Sequence, residues 1–391
     1  MKVCTICDDH FPSYWTSTNQ VITTASYLGK AGVDVDLMIP VLGKNLLLSR
    51  ERRLRQLCEF YGVEPTFNLK DYFTVWPTNK FRIEKLTHGF TSPVFAAMGK
   101  YDLIYTRHVI PVLMTVASGG NAIFETYRLL PEEYPMSIPL LKWAASKENF
   151  LGITTHSELS RNVFIDAGVP PEKVKALHNG YDPVEFEPEL TRQQARKLLG
   201  LDENRFLVVY TGHMTQIKGV EILVDIAKNT PEADFLLVGG PTIEDVKRIR
   251  NLAKEQNVKN INIQGWVKPH LVPPYLYAAD ILIIPPTSVP LKIHRRTVLP
   301  IKLFNYLAAG RTILAPDLPD TAELLYHGVN SFRIEPDNVQ LASDTIRELI
   351  DDPLLANELA DRAREDARKY TWQQRAVNLK NFMEERLNTI R

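Results

Sequence analysis

Cysteine is scarce, with only Cys4, Cys7 and Cys58 in 391 residues. Three thiols cannot make a disulfide framework, which fits a reducing compartment. Cys4 and Cys7 form a C-x-x-C, but they fall in the first expected strand, whereas a redox pair opens a helix, so inert packing is expected. Excess charge is also lacking, since 46 Lys plus Arg balance 46 Asp plus Glu. With no global field to attract polyanions, nucleic acid is not an expected partner. No segment approaches the run of about eighteen uncharged apolar residues that a spanning helix needs. The opening MKVCTICDDHF has neither a long apolar stretch nor a small-residue cleavage site, and a cytoplasmic location is expected.

What is present is an ordinary globular composition, 45% apolar, in a chain too long for one small core. Two domains are the natural expectation. A strand from Lys2, a polar and aromatic loop DDHFPSYWTSTNQ, a helical stretch from Val21 to Leu28 and a strand from Val33 to Ile39 make a βαβ opening, which implies a parallel sheet. Strands follow at DLIY, AIFE and Leu151 to Thr155, each ending in polar side chains: Arg107 and His108, then Tyr127, then His156. Such loops lie at the carboxyl edge of an open sheet, where ligands bind. Arg50, Arg52, Arg53 and Arg55 share a helix with Leu48, Leu54, Leu57 and Phe60, but Glu51 and Glu59 interrupt the basic run. A solvated face is therefore preferred there to peripheral membrane contact.

Between Pro183 and Asn204 the apolar period fades, and a second βαβ series begins at FLVVYTG. We place an N-terminal domain at residues 1–190, a second at 191–370, and a last helix at 371–391 whose stripe of Trp372, Ala376, Leu379, Phe382 and Met383 must pack on something. The expected fold is α/β with two doubly wound, Rossmann-like domains.

The stretch LPIKLFNYLAAGRTILAPDLP, residues 299–319, reads as a turn, a helix, a glycine stop and a buried strand. A helix start facing a cleft offers free N–H groups and the positive end of a dipole to an anion. On this stretch alone, a packed αβ unit with no ligand remains open.

Read together, five segments resemble one family. GITTHSELSRNVFIDAGVPPEKVKALHNGYDPVEF, GHMTQIKGVEIL, INIQGWVKPHLVPPYLYAADILIIPP, PIKLFNYLAAG and RTILAPDLPDTAELLYHGVNSF occur in the order found in retaining nucleotide-sugar glycosyltransferases of family 4, with the GT-B fold. The resemblance implies two Rossmann-like domains facing a central cleft, with the C-terminal helix crossing back to the N-domain. It implies sugar transfer from a nucleoside diphosphate sugar with the anomeric configuration retained, and no obligatory metal or other cofactor. The acceptor is left open among saccharides, lipid-linked molecules and small molecules.

Residue by residue, the resemblance puts Gly212 beside a phosphate, with Lys218 supplying positive charge to the leaving diphosphate and His213 standing where the family often has Arg. The backbones of Trp266 and Val267 fall at the base-binding turn, the Trp266 ring either packing on the base or filling a floor. The N–H groups of Ile301, Lys302 and Leu303 are candidates to hold the diphosphate, and Asn305 to contact the ribose. Thr16 and Ser17 stand where the family commonly has a Gly pair near the transferred sugar.

Three departures mark the chain: Thr297 and Asn305 replace a pair of glutamates around the donor helix, and Tyr127 replaces a catalytic-site His. Tyr donates a hydrogen bond to a sugar hydroxyl but supplies no cation near neutral pH, so His108 and His156 are the candidate substitutes, with a satisfied structural role the preferred reading for each. These departures also leave open a catalytically reduced nucleotide-sugar-binding protein or partner subunit. A GT-B phosphorylase or sugar-nucleotide epimerase is the remaining enzyme alternative.

Overall fold

The computed structural model describes residues 1–41, 47–72, 83–240, 242–294 and 299–390. Thr297 lies outside them. The chain divides into two units, Met1–His178 with Trp372–Arg391, and Asn179–Thr371. The boundary therefore falls before the expected 190/191. Residues 179–190 join the second unit because Phe186 packs edge-on against the rings of Tyr181 and Tyr277, at 5.4 and 5.9 Å between centroids. Tyr277 Oη also donates to the Phe186 carbonyl at 3.0 Å, and the Tyr181 N–H donates to the Tyr370 carbonyl at 3.0 Å.

The first unit is built on a seven-stranded sheet in the order β3-β2-β1-β4-β5-β6-β7. The strands are β1 Lys2–Ile6, β2 Asp34–Pro40, β3 Asn68–Tyr72, β4 Leu103–Thr106, β5 Ala122–Thr126, β6 Phe150–Thr155 and β7 Val174–Ala176. All their pairings are parallel. Every residue of β4, β5 and β6 is buried, as expected where helices cover both faces of a parallel sheet. The helix Trp372–Asn388 completes this unit rather than its sequence neighbour. Its Trp372, Ala376, Leu379, Phe382 and Met383 share a core with Val3 of β1, Leu37 of β2 and Val21, Ile22 and Leu28 of the helix Thr16–Lys30. Burying one large apolar side chain is worth about 1.5–3 kcal/mol, so the stripe is a substantial part of this core.

The helix Arg50–Tyr61 begins at Ser49, whose Oγ accepts from the Arg52 N–H at 3.3 Å. The expected solvated face fails at Arg53, which is 7% exposed and donates through Nη2 to Asp71 Oδ2 at 2.5 Å. A charged side chain tolerates burial when it is paired, and Asp71 of β3 provides the pair.

The second unit has a six-stranded sheet in the order β10-β9-β8-β11-β12-β13. Its strands are β8 Phe206–Gly212, β9 Ala233–Gly239, β10 Ile261–Gly265, β11 Ile281–Ile283, β12 Thr312–Pro316 and β13 Phe332–Ile334, again all parallel. The strand order reverses between β8 and β11, and such a reversal opens a crevice at the carboxyl ends of the two strands. No helix among the described residues is long and apolar enough to cross a membrane.

Candidate functional site

The carboxyl ends of β8 and β11 converge with the start of the helix Lys302–Ala309. That helix buries Leu303, Phe304, Tyr306 and Leu307 completely and ends at Gly310, which takes a φ of +57°. Tyr306 fixes it to the strand ends: its Oη accepts from the Thr211 N–H at 2.8 Å and lies 3.4 Å from the Ile283 carbonyl. One phenol thus ties the helix to both strands that flank the crevice.

Gly212 ends β8 at a φ of +138°, where a side chain would be strained. Space matters as much as conformation: a Cβ there would stand 2.6 Å from Lys302 Nζ. The glycine makes room for that ammonium, which sits 3.8 Å above the centre of the Tyr210 ring, a cation–π contact. Tyr210 is itself held by donating through Oη to the His213 carbonyl at 2.5 Å. Lys302 has no carboxylate partner among the described residues. Desolvation, and after it the charge of Lys218, hold its pKa well below the usual lysine range.

Lys218 closes the turn Gln216–Lys218 after β8. Its side chain reaches solvent, while desolvation lowers its pKa and the nearby buried Asp320 opposes that shift. Lys218 thus adds to the lowering at Lys302, and two lysines with no carboxylate in ion-pair contact among the described residues make an edge suited to an anion.

The backbone adds donors, with one correction to the sequence reading. Leu303 cannot offer its N–H, because it already donates to the Pro300 carbonyl at 3.1 Å in a tight first turn. Ile301 and Lys302 have N–H groups without an acceptor among the described residues. Asn305 is half-buried, and its amide has no partner there. At the end of β10, Trp266 is 40% exposed, so its ring is not part of the core, while Val267 packs against it. The loop after β11 is pinned by Asp337, which accepts from Thr287 Oγ1 at 2.7 Å, the Ser288 N–H at 2.9 Å and Lys292 Nζ at 2.7 Å.

The first unit gathers its polar strand ends around a buried carboxylate. Glu125, 1% exposed at the end of β5, accepts from Arg107 Nε at 2.6 Å and from Arg375 of the last helix. His156 Nε2 lies 3.1 Å from Glu125 Oε1, and its Nδ1 3.5 Å from Gln20 Nε2. Burial drives the His156 pKa down to about 4 against the pull of Glu125. The two arginines overcome the desolvation of Glu125 and hold its carboxyl well below the usual range.

His156 is therefore a buried, partnered residue, the structural role that the sequence reading weighted above a substrate contact. His108 differs: it is partly exposed, with Nε2 2.8 Å from Asp8 Oδ1. Tyr127 is 39% exposed and stacks obliquely near His156, with ring centres 6.1 Å apart. Thr16 and Ser17 open the helix Thr16–Lys30, and Ser17 Oγ donates to Asp9 Oδ2 at 3.0 Å.

The structure brings Gly212, Lys218, Ile301, Lys302 and Asn305 to one edge of the second unit, and Thr16, Ser17, His108 and Tyr127 to the carboxyl edge of the first. Sequence reasoning missed the Lys302 side chain, considering only its backbone. Its signal was a lysine directly before a buried helical face. The buried Arg107–Glu125–Arg375 group was missed because its members lie far apart in the sequence.

Residues 191–370 match the family model described as glycosyl transferases group 1. A D-inositol 3-phosphate glycosyltransferase of Catenulispora acidiphila is 25% identical over 379 residues, covering 90% of this chain and 86% of its own. An uncharacterized glycosyltransferase of Methanocaldococcus jannaschii is 22% identical over 339 residues, or 78% and 84% of the two chains. Among solved structures, sucrose-phosphate synthase of Thermosynechococcus elongatus is similar with a TM-score of 0.79 and 17% identity, covering 99% of both chains. Anabaena HepE in complex with UDP gives 0.76 and 17%, covering 98% of this chain and all of its own. Residues 191–370 thus form a domain of the glycosyl transferases group 1 family, and the chain, with the GT-B fold and glycosyltransferase relatives over most of its length, is a glycosyltransferase.

Proposed function

We propose that the protein transfers a sugar from a nucleoside diphosphate sugar to an acceptor with retention of the anomeric configuration. The observation that carries this reading is the edge of the second unit, where Lys218 and Lys302 meet two N–H groups with no acceptor among the described residues, beside a glycine strand end. A diphosphate supplies the negative charge these groups lack. Trp266 and Val267 stand at the end of β10 for the base, and Asn305 offers an uncharged amide to the ribose, at a loss of roughly 1 kcal/mol relative to a carboxylate. UDP-glucose is the first donor to test, because HepE has been solved in complex with it.

In this reading the reaction needs no side-chain nucleophile. The acceptor oxygen forms its bond to the anomeric carbon on the face from which the diphosphate leaves, and the leaving phosphate oxygen takes the acceptor proton. Lys218, Lys302 and the helix-start amides stabilise the charge growing on the diphosphate, which is electrostatic catalysis. A metal is not required for that charge balance.

Incubation with UDP-glucose and a panel of saccharide and polyol acceptors, followed by NMR of the new anomeric proton, tests the proposal. An α-linked product is expected from the α-linked donor. A β-linked product would overturn retention. The burial of His156, together with Asn305 and Tyr127, favours a catalytically reduced donor-binding protein as the second reading, and UDP-glucose binding with neither transfer nor hydrolysis across the panel would decide for it.

A further inference from the structure

The turn that carries Lys218 is seated on the loop after β11. Within the turn Gln216–Lys218, the N–H of Lys218 donates to the Thr215 carbonyl at 2.8 Å, and that of Gly219 to the Gln216 carbonyl at 3.0 Å. A Cβ on Gly219 would stand 2.5 Å from Thr287 Cγ2 and 3.1 Å from Val289 Cβ. The glycine thus brings the backbone next to Lys218 directly onto Thr287, and the helix Val289–His294 packs against the same turn. Thr287 is buried, and its rotamer is fixed from both sides: Oγ1 accepts from the Val289 N–H at 3.2 Å and donates to Asp337 Oδ1 at 2.7 Å. Its methyl group is left facing Gly219.

Asp337 gathers the rest of that loop as well. It accepts from the Ser288 N–H at 2.9 Å, from Ser288 Oγ and from Lys292 Nζ at 2.7 Å, while its own N–H donates to the Pro286 carbonyl at 2.8 Å. Desolvation disfavours its charge, but hydrogen bonds from Lys292, Ser288 and Thr287 prevail and hold its carboxyl well below the usual range. The residue keeps this side chain at a φ of +64°, which most side chains avoid. An exposed ion pair contributes little by itself, so Lys292 alone does not account for the arrangement. The remaining donors belong to Thr287 and Ser288, at the seat of Gly219.

We propose that Asp337 is a positioning residue for Lys218: acting through Thr287 and Gly219, it holds the turn where the Lys218 ammonium and Lys302 meet one diphosphate. Losing the carboxylate frees the Thr287 rotamer, the turn loses its seat, and the ammonium spends less time in the binding position. The inference rests on the donor-site reading and adds to it a residue that acts on the nucleotide only through others.

The test is a double-mutant cycle in the full chain: wild type, Lys218→Ala, Asp337→Gly and the double variant, each titrated calorimetrically with UDP, GDP and ADP. Glycine suits the backbone at 337, so the variant should fold, and urea unfolding of each protein checks this. Asp337→Gly is expected to lose threefold or more in affinity for the nucleotide that the wild type binds. Because the effect runs through Lys218, the double variant should bind no more weakly than Lys218→Ala alone. Wild-type affinity in Asp337→Gly, or losses that multiply in the double variant, overturn the proposal. Hydrogen exchange without ligand reads the turn separately. The amides of Lys218 and Gly219 should exchange tenfold or more faster in Asp337→Gly, relative to those of β8, and unchanged exchange overturns the proposal even where a nucleotide binds. Faster exchange in a chain whose wild type binds none of the three nucleotides upholds the hold on the turn and refutes the donor reading. Nucleotide binding with unaltered exchange does the reverse.

Discussion

Lys302 shows how one side chain acquires a role from its surroundings. Its ammonium lies on the Tyr210 ring, close to Lys218 and over a glycine, with no described carboxylate to balance it. The elements packed on its helix bring Tyr277, Arg364 and Glu185, and none of these is among the influences on its charge, which are desolvation and Lys218. A diphosphate favours the charged form and so opposes the lowering, which couples binding to proton uptake over the pH range between the free and bound pKa and makes affinity fall as pH rises across it. Titration with UDP in buffers of different ionisation enthalpy should show proton uptake in the wild type and much less in Lys302→Met. Equal uptake in both would assign the proton elsewhere.

His156 makes the opposite case, a titratable group removed from chemistry by burial. Its folded pKa of about 4 lies below the ordinary histidine value of 6.5, so the unfolded chain binds the extra proton and stability falls as pH drops through that window. The size is about 3 kcal/mol between those limits. The depressed Glu125 adds loss of the same sign at lower pH. His156→Gln should flatten urea-measured stability between pH 6.5 and 4, whereas an unchanged slope would place the acid sensitivity in other groups.

At residue scale the sequence was a mixed guide. The resemblance, not the spacing, pointed to Gly212 and Lys218, and the chain places them at the end of β8 and in the turn that follows it. The sequence could not separate His108 from His156, since exposure and the Glu125 network depend on strands and a terminal helix distant in the chain.

At the scale of elements, the edge proposed to hold the donor is an agreement between two strand ends and one helix. Gly212 lets Lys302 approach, and Tyr306 holds the helix to Thr211 and Ile283. Gly212→Ala sets a methyl group 2.6 Å from Lys302 Nζ at a φ that L-residues avoid. The flexible lysine can withdraw, so the expected cost is about 1–2 kcal/mol in stability but tenfold or more in UDP affinity. Denaturation and titration of one preparation would measure both. A loss of stability with unchanged affinity would remove Lys302 from the binding site.

The helix start itself was legible from Pro300, the apolar spacing and Gly310, but the free donors were not. Whether the first turn closes onto Pro300 is decided by local geometry, and that turn removed Leu303 from the candidates. The helix Arg50–Tyr61 keeps the expected solvated face at Arg50, Arg52 and Arg55 and departs from it at Arg53, because a run of arginines does not reveal the partner on β3.

For the molecule as a whole, two parallel sheets and the returning helix follow from strongly periodic or buried segments, and these were the readable part of the fold. The boundary at 178/179 was less legible, because aromatic packing of Phe186 with Tyr277 links residues far apart in the sequence. The central claim is that the carboxyl edge of the second sheet holds a nucleoside diphosphate through Lys218. Calorimetric titration of wild type and Lys218→Ala with UDP, GDP and ADP tests it most directly, with urea unfolding of both to establish equal folding. The account predicts that at least one nucleotide binds the wild type and that the variant loses tenfold or more in affinity at unchanged stability. No binding of any of the three, or equal affinity in the variant, would contradict it.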